Sequence, residues 1–308
     1  MNHPPHSARG VALVLLAAML WGSTGTAQSL APATLSPYWV GALRLVIATA
    51  FFALLALGRR LPAAAWPWAR IALAGSCIAA YNLCFFAGVK LSGVALGTAL
   101  AIGSGPIWAG LLQTWQQRRW PAPLWWLGML LSVAGGAAMA LGQGASLHLD
   151  ASGLALCLGA GLAYASYTLV NKQLVLQLGP TRANLAVFGM AALLALPLAW
   201  LLGGALGGAL QAGPAAWAVV LFLGLVSTGL AYGLFSSGLR HISGATGVTL
   251  ALAEPVTAFL LALWVVGEPQ QWPAWLGLGL VLAGLLLVVG AELRPAASLP
   301  GTGALRRP

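Results

Sequence analysis

The chain has 308 residues, of which 60% are hydrophobic and only 6% are charged, and its mean hydropathy is +0.90. Soluble domains carry about 25% charged residues because their surface faces water, so this composition excludes a soluble domain and predicts an integral membrane protein. The formal net charge of +10 comes from basic residues scattered along the chain, so the expected partner is the lipid bilayer and not nucleic acid.

Ten apolar stretches follow a short polar N-terminus, residues 1–7, which we predict to be disordered. Each stretch is close to the ~20 residues that cross a bilayer, and turns rich in Gly and Pro separate them. More apolar stretches follow the first one, so we interpret it as a retained helix and not as a signal peptide. The predicted spans are 8–29, 36–58, 67–89, 92–116, 122–143, 152–174, 181–203, 214–238, 244–266 and 273–292, with a tail at 293–308.

The basic residues predict the topology. With ten spans, both termini lie on one side of the membrane. Of the 14 basic residues, Lys90 lies on the opposite side and Arg44 lies inside the second span, which leaves twelve on the side of the termini. Because cytoplasmic loops carry the excess of Lys and Arg, we predict a bacterial inner-membrane protein with both termini and the tail in the cytoplasm.

The second half of the chain repeats the first. Eleven residues between Pro106 and Gly135 recur 149 positions later. Five spans per half is an odd number, so the second half must enter the membrane from the opposite face. We therefore predict an all-α membrane protein made of two inverted five-helix repeats, 8–144 and 150–292, as in secondary transporters. The recurring residues of the first copy are Pro106, Ala109, Leu111, Leu112, Trp115, Trp126, Leu127, Gly128, Leu131, Ala134 and Gly135.

Several short motifs are, in combination, typical of one family. With the ten spans and the duplication, they make residues 8–292 resemble the drug/metabolite transporter superfamily of the EamA type. One departure from the repeat is that Gln116 to Arg119 stand where the second copy has Val265 to Glu268, so the Gly-Glu closure belongs to the second half. The motifs are Trp21-Gly22-Ser23, Leu43-Arg44-Leu45, Ser104-Gly105-Pro106, Glu254-Pro255, Gly267-Glu268 and Trp275-Leu276-Gly277.

This resemblance implies export of amino acids or similar small metabolites by alternating access, through a cavity lined by spans one, three, four, six, eight and nine. The Trp and Tyr residues of that expected lining are similar to those of exporters of aromatic and other neutral amino acids. A large side chain needs flat apolar walls and a few hydrogen-bond donors, although the same rings could simply pack helix against helix. The predicted substrate-binding residues are Trp21, Ser23, Thr24, Tyr81, Asn82, Trp108, Tyr164 and Tyr232.

Two charged residues stand deep within spans, Arg44 and Glu254. An isolated ion in hydrocarbon costs on the order of 3 kcal/mol or more, so each needs a partner or water. Glu254 has three interpretations: contact with a substrate amine, proton coupling, or partnership with a helix break at Pro255. We favour a gating or structural role for Arg44, Pro106, Glu254 and Pro255, without a dedicated proton relay.

Charged residues at the span ends have simpler predicted roles. Asp150, Glu268 and Glu292 are predicted to be solvated. Lys172 is predicted to extend toward the membrane interface, with contact to a substrate carboxylate as the alternative.

Catalysis finds no support in the sequence. GxSxG, HExxH, GxGxxG and Walker patterns are absent, and the Cys and His residues lack metal-ligand spacing, so we predict no enzyme activity, no cofactor and no metal. The alternatives are export of other small metabolites or cationic drugs and, outside transport, a membrane scaffold subunit. The expected unit is a monomer or a weak homodimer.

Overall fold

The structure is a computed structural model that describes residues 4–29, 36–57, 66–92, 94–141, 150–204, 213–267 and 270–294. Within these ranges the chain forms ten long helices and no strand. They are α1 Pro4–Ser29, α2 Pro37–Ala56, α3 Trp68–Ser92, α4 Val94–Gln117, α5 Pro123–Leu141, α6 Ala151–Leu178, α7 Pro180–Gly203, α8 Pro214–Leu239, α9 244–266 and α10 Trp272–Leu293.

Each predicted span corresponds to one helix. Nine of the described helices are long and apolar enough to cross a membrane. The remaining one, α4, has 24 residues and is about 36 Å long at 1.5 Å per residue, but its C-terminal end carries several glutamines. One boundary was wrong: α1 begins at Pro4, so residues 4–7, predicted to be disordered, are helical. Residues 1–3 and most of the predicted tail lie outside the described residues.

Prolines set the start of several helices. Pro37, Pro180 and Pro214 lie in the first turns of α2, α7 and α8. In the first turn of a helix the N–H of any residue lacks an intrahelical partner, so proline loses no hydrogen bond there. The fixed φ angle of proline also suits the first turn. The sequence therefore indicated these boundaries closely.

Two helices depart from regular α-geometry. Helix α8 contains a π-helical segment in its middle. Helix α9 begins as an α-helix, tightens into a 3-10 turn, resumes as an α-helix and ends in a π-helical segment. The segments are Leu223–Leu230 in α8, and Gly244–Leu250, Ala251–Ala253, Glu254–Leu261 and Ala262–Val266 in α9.

The 3-10 turn of α9 follows from Pro255. Proline has no N–H to offer the carbonyl of Ala251, four residues earlier, and the N–H of Glu254 bonds to that carbonyl instead. The predicted break is thus a tightened turn and not an open gap in the helix. Helix α9 ends at Gly267, whose φ of +79° lies in the left-handed region that favours glycine. Glu268 lies outside the described residues.

Glycines bring α5 and α10 into close contact. A methyl group added at Gly128 would lie 2.6 Å from the carbonyl oxygen of Gly284, and one at Gly135 would lie 2.6 Å from that of Gly277. Lipid supplies no hydrophobic force to associate helices, so close approach through small residues is what holds them together. Partners along α10 come in the reverse order of those along α5, so the two helices are antiparallel.

The packing is the same when the two halves are exchanged. Helix α3 packs on α6 and α8 packs on α1, while α4 packs on α6 and α9 packs on α1. Side chains follow this rule too: Met190 lies against Gly75, and Ile47 lies against Gly224. The glycines are 149 residues apart, the offset that the sequence repeat gives for Pro106 to Gly135, and their partners are 143 apart, the offset that relates Trp21 to Tyr164.

The outer faces of the bundle are apolar. Leu193, Leu201 and Leu286 expose 68%, 67% and 73% of their surface. A surface of this kind would associate or aggregate in water and is suited to lipid. The structure is therefore that of a multi-pass membrane protein.

Candidate functional site

Four of the predicted aromatic residues meet where helices of the two halves join. Trp21 of α1 and Tyr81 of α3 come from the first half, and Tyr164 of α6 and Tyr232 of α8 come from the second. The Trp21 ring lies 4.9 Å from Tyr232 and 6.4 Å from Tyr164 between centroids, and Tyr164 lies 5.4 Å from Tyr81. We call these four residues the aromatic cluster.

Further rings enlarge the aromatic cluster. Phe235 lies 5.2 Å from Trp21, Phe188 lies 4.8 Å from Tyr232, and Tyr167 lies 6.0 Å from Tyr164. Most of the ring pairs are edge-to-face or tilted, the arrangements that aromatic quadrupoles favour. Sequence reasoning missed Tyr167, Phe188 and Phe235, although Tyr167 and Phe235 stand three residues from a predicted member.

The other predicted binding residues lie elsewhere. Ser23 donates to the carbonyl of Leu20 in its own helix at 2.7 Å, so its hydroxyl is already used. Asn82 faces a cleft between α2, α3 and α7, and its amide donates to the carbonyl of Ile78 at 2.8 Å. Trp108 of α4 packs against the main apolar core.

The π-helical segment of α8 collects polar contacts from α1 and α2. Thr24 donates to Ser227 at 3.2 Å, and the Nε of Arg44 donates to Thr228 at 3.0 Å. The Thr228 hydroxyl also bonds to the carbonyl of Leu223, five residues earlier, at 2.7 Å. π-Helical segments occur frequently at functional sites. The signal that sequence reasoning missed is the pair Ser227-Thr228 in the middle of an apolar span.

Arg44 and Glu254 lie on different helices, α2 and α9, but near the same aromatic cluster. Arg44 is bonded to Thr228, four residues before Tyr232 in α8, and the backbone of Glu254 touches α1 at Gly22, next to Trp21. Both side chains are half-buried. In the part of the chain that the structure describes, neither has an oppositely charged group in direct contact.

Glycine and proline position Glu254 beside the aromatic cluster. A methyl group at Gly22, the residue after Trp21, would lie 2.6 Å from the carbonyl oxygen of Glu254, so α1 and α9 touch backbone to backbone here. Pro255 directly follows, in the first turn of the second α-helical segment of α9. Pro106, the equivalent residue in α4, lies inside a continuous helix. The two copies therefore differ in backbone as well as in charge.

Two buried indole donors are unused, one of them in the aromatic cluster. The Nε1 atoms of Trp21 and Trp108 are buried and, in the described structure, have no hydrogen-bond partner, and the same holds for the hydroxyl of Ser104. An unpaired buried donor costs about 1 to 3 kcal/mol. Such donors are therefore candidates for bonding to a ligand.

A buried polar network joins α6, α7 and α8 behind the aromatic cluster. Asn171 donates to Tyr167 at 3.2 Å and to Ser236 at 3.1 Å, and Ser236 donates to Asn184 at 2.7 Å. Asn184 in turn donates to the carbonyl of Tyr232 at 3.1 Å. Hydrogen bonds within a buried network fix the positions of its members, so these bonds orient the backbone that carries Tyr232. The Oδ1 of Asn171 has no hydrogen-bond partner in the described structure.

The N-terminus of α9 is held by three other helices, in what we call the α9 junction. Glu292 of α10 accepts from the Ser243 N–H at 2.9 Å and from the Thr246 hydroxyl at 2.5 Å. Gln113 of α4 accepts from the Ala245 N–H at 3.0 Å. The Lys172 ammonium of α6 donates to the carbonyl of Ile242.

These contacts correct two predictions. Glu292 was predicted to be solvated, but it binds N–H and hydroxyl groups at a helix N-terminus, where the helix dipole favours an anion. Lys172 was predicted to reach the interface, but it bonds to a backbone carbonyl within the protein. Asp150 is likewise bonded, since it caps α6 by accepting from the Gly153 N–H at 2.7 Å and from Ser152. Those two bonds, Ser152 first, lower the pKa of Asp150 from its usual 3.8.

Comparison with known proteins assigns the class. A family model described as the EamA-like transporter family matches the chain twice, over residues 8–141 and 151–290. Together with the apolar helical bundle, these matches define a multi-pass membrane transporter. The chain belongs to the EamA-like transporter family, within the drug/metabolite transporter superfamily, which confirms the resemblance carried by the short motifs.

Named relatives cover nearly the full chain. An uncharacterized transporter of Bacillus subtilis (strain 168), YwfM, is 38% identical over 279 residues, which are 90% of this chain and 93% of that protein. The threonine/homoserine exporter RhtA of Escherichia coli (strain K12) is 31% identical over 281 residues, 89% of this chain and 88% of that protein. A solved crystal structure has the same fold, with a TM-score of 0.79 at 18% identity over 91% of this chain and 96% of that one.

Proposed function

We propose that this protein exports free neutral amino acids, aromatic ones included, from the cytoplasm across a bacterial inner membrane. The observation that carries this proposal is the aromatic cluster, which is built from both halves of the chain and includes the unused indole donor of Trp21. Flat apolar rings with a few donors suit an amino-acid side chain. The Escherichia coli relative named as a threonine/homoserine exporter supports amino acids as the substrate class.

The mechanism we propose is alternating access by two inverted repeats, 8–144 and 150–292. The contact of α5 with α10 supports the inversion: Gly128 meets Gly284 and Gly135 meets Gly277. Gly277 is the equivalent of Gly128 and Gly284 is that of Gly135, so each contact becomes the other when the repeats are exchanged. This is the relation expected across a two-fold axis, and the two helices are antiparallel. Rocking of the two repeats about that axis would expose the aromatic cluster to each side in turn.

The α9 junction is the cytoplasmic gate in this proposal. The basic residues on its side of the membrane support a cytoplasmic position. Hydrogen bonds from α4, α6 and α10 tie the N-terminus of α9 at this end, so opening would require breaking them. Pro106 and Pro255 are proposed to let α4 and α9 bend in that movement, since a proline removes a helical hydrogen bond.

The remaining predicted binding residues complete the proposed site, for which we expect a monomer or a weak homodimer and no cofactor. Trp108 joins the proposed binding set through its unused indole donor, and Thr24 through its contact with the π-helical segment of α8. Ser23 and Asn82 stay in the predicted set although their hydroxyl and amide groups bond within their own helices.

Reconstituted transport tests this proposal. Proteoliposomes would be loaded with labelled Phe, Trp, Thr or Met, and efflux would be measured with and without a pH gradient. We expect efflux of at least one of these amino acids down its own gradient, with no requirement for the pH gradient. Transport of a cationic drug or another small metabolite, with none of the four amino acids moved, would refute the substrate class and favour the alternative.

A further inference from the structure

Arg44 and Glu254 are opposite charges that the fold keeps apart. No nitrogen of Arg44 lies within 4.0 Å of an oxygen of Glu254, and the Nε of Arg44 is turned to a neutral hydroxyl, that of Thr228. A structural ion pair in a membrane would bring its two members into contact, because each isolated charge is costly there. Their separation therefore calls for a different explanation.

Both charges flank the aromatic cluster. Arg44, on α2, donates to Thr228 in the π-helical segment of α8. Thr228 stands four residues before Tyr232 of the aromatic cluster. Glu254 approaches from α9, where its backbone touches α1 next to Trp21. The rings thus have a positive group and a negative group nearby, on different helices.

Neither charge has a counterpart in the other repeat. Ile47 and Met190 occupy equivalent places in α2 and α7, so the equivalent of Arg44 is Val187, which is fully buried. The equivalent of Glu254 is Gly105, 149 residues earlier, which packs near Tyr164. A charge needed to hold the repeated fold would be expected in both copies. One positive and one negative group, each present once, instead define a direction within the site.

We propose that Glu254 binds the ammonium group and Arg44 the carboxylate of a free α-amino acid, with the aromatic cluster against the side chain. A zwitterion satisfies both charges together, since its two groups form charge-assisted hydrogen bonds with them. This inference rests on the proposed function and adds what the site recognises: both ends of the amino acid must be free. Pro255 then serves to place the carboxylate of Glu254 and not to bind.

Blocked amino acids test this inference on the unmodified protein. In proteoliposomes that exchange a labelled amino acid, the unlabelled competitors would be the parent amino acid, its N-acetyl derivative and its methyl ester. We expect each derivative to compete at least about tenfold more weakly than the parent. Absence of amino-acid exchange would refute the proposed function itself. Exchange with equal competition by either derivative would overturn the charge assignment alone.

Variants assign each end of the ligand to its residue. Glu254→Gln should weaken competition by the parent about tenfold and abolish discrimination against the N-acetyl derivative, while discrimination against the ester persists. Arg44→Gln should do the reverse. Asp150→Asn and Arg70→Gln, which change exposed charges away from the cluster, should leave both selectivities unchanged. Loss of affinity for all three competitors alike, in protein that elutes as a single species in detergent, would overturn the assignment.

Discussion

Replacement of Gly135 by alanine should loosen the contact between α5 and α10. The added methyl group would lie 2.6 Å from the carbonyl oxygen of Gly277 and 2.6 Å from the backbone nitrogen of Val281. Ordinary contact for such a carbon begins at 3.4 Å, so the two helices must separate by 0.8 Å (3.4 minus 2.6). Both obstacles are backbone atoms that cannot rotate away, and overpacking of this kind costs about 1 to 3 kcal/mol.

The adjacent glycine supplies the control. A methyl group at Gly136 meets no atom within 4 Å, and alanine is the better helix former, so Gly136→Ala should leave stability unchanged or raise it. Thermal unfolding in detergent can be followed with a thiol-reactive dye, because the three cysteines lie in apolar helices. We expect Gly135→Ala to lower Tm by several degrees and Gly136→Ala not to lower it. Equal effects of the two variants would refute the glycine contact as the basis of this interface.

Three further predictions follow from single sites. Tyr81→Ala should reduce amino-acid efflux more than expression. The control is Trp115→Ala, at a ring that is 79% exposed on the outer face, which should change neither efflux nor expression. Equal loss of efflux and expression for Tyr81→Ala would favour a packing role. Glu292→Gln should destabilise the α9 junction by about 1 to 3 kcal/mol, since it weakens two hydrogen bonds to a charged acceptor, and an unchanged Tm would contradict this. The bonds from Ser152 and Gly153 lower the pKa of Asp150. The stability that its charged form adds is therefore complete above the usual pKa of 3.8 and is lost as pH falls through the lowered value. The Tm of Asp150→Asn should lack this acid-dependent component, and the same dependence of Tm on pH in both proteins would disprove it.

The aromatic cluster could be predicted in part because its members lie on spans that the family resemblance places around a cavity. Tyr81 and Tyr232 occupy matching positions in α3 and α8, and Trp21 and Tyr164 do so in α1 and α6. Trp108 followed the same logic, yet no described ring contact joins it to the cluster. Which face of a helix meets which neighbour depends on helix rotation, and composition carries no information on rotation when nearly every residue is apolar.

The polar groups behaved differently from the rings. Asn184, Ser236 and Thr228 gain their roles from residues 48 to 184 positions away along the chain. Glu292 was misjudged for the same reason, since its partners Ser243 and Thr246 lie at the start of another helix. A polar residue near the end of a span has the same sequence signature whether it meets water or caps a neighbouring helix.

The sequence by itself determined the class of protein, the ten spans and the duplication. Low charge and long apolar runs leave a bilayer as the only suitable solvent, and each helix satisfies its own backbone hydrogen bonds, so its limits can be read locally. The tertiary structure alone decided that Arg44 and Glu254 stand apart beside the same rings, and that Glu292 holds the start of α9. Those relations depend on which helices pack together and at what rotation, and packing between apolar helices is set by the close fit of small residues over the whole bundle.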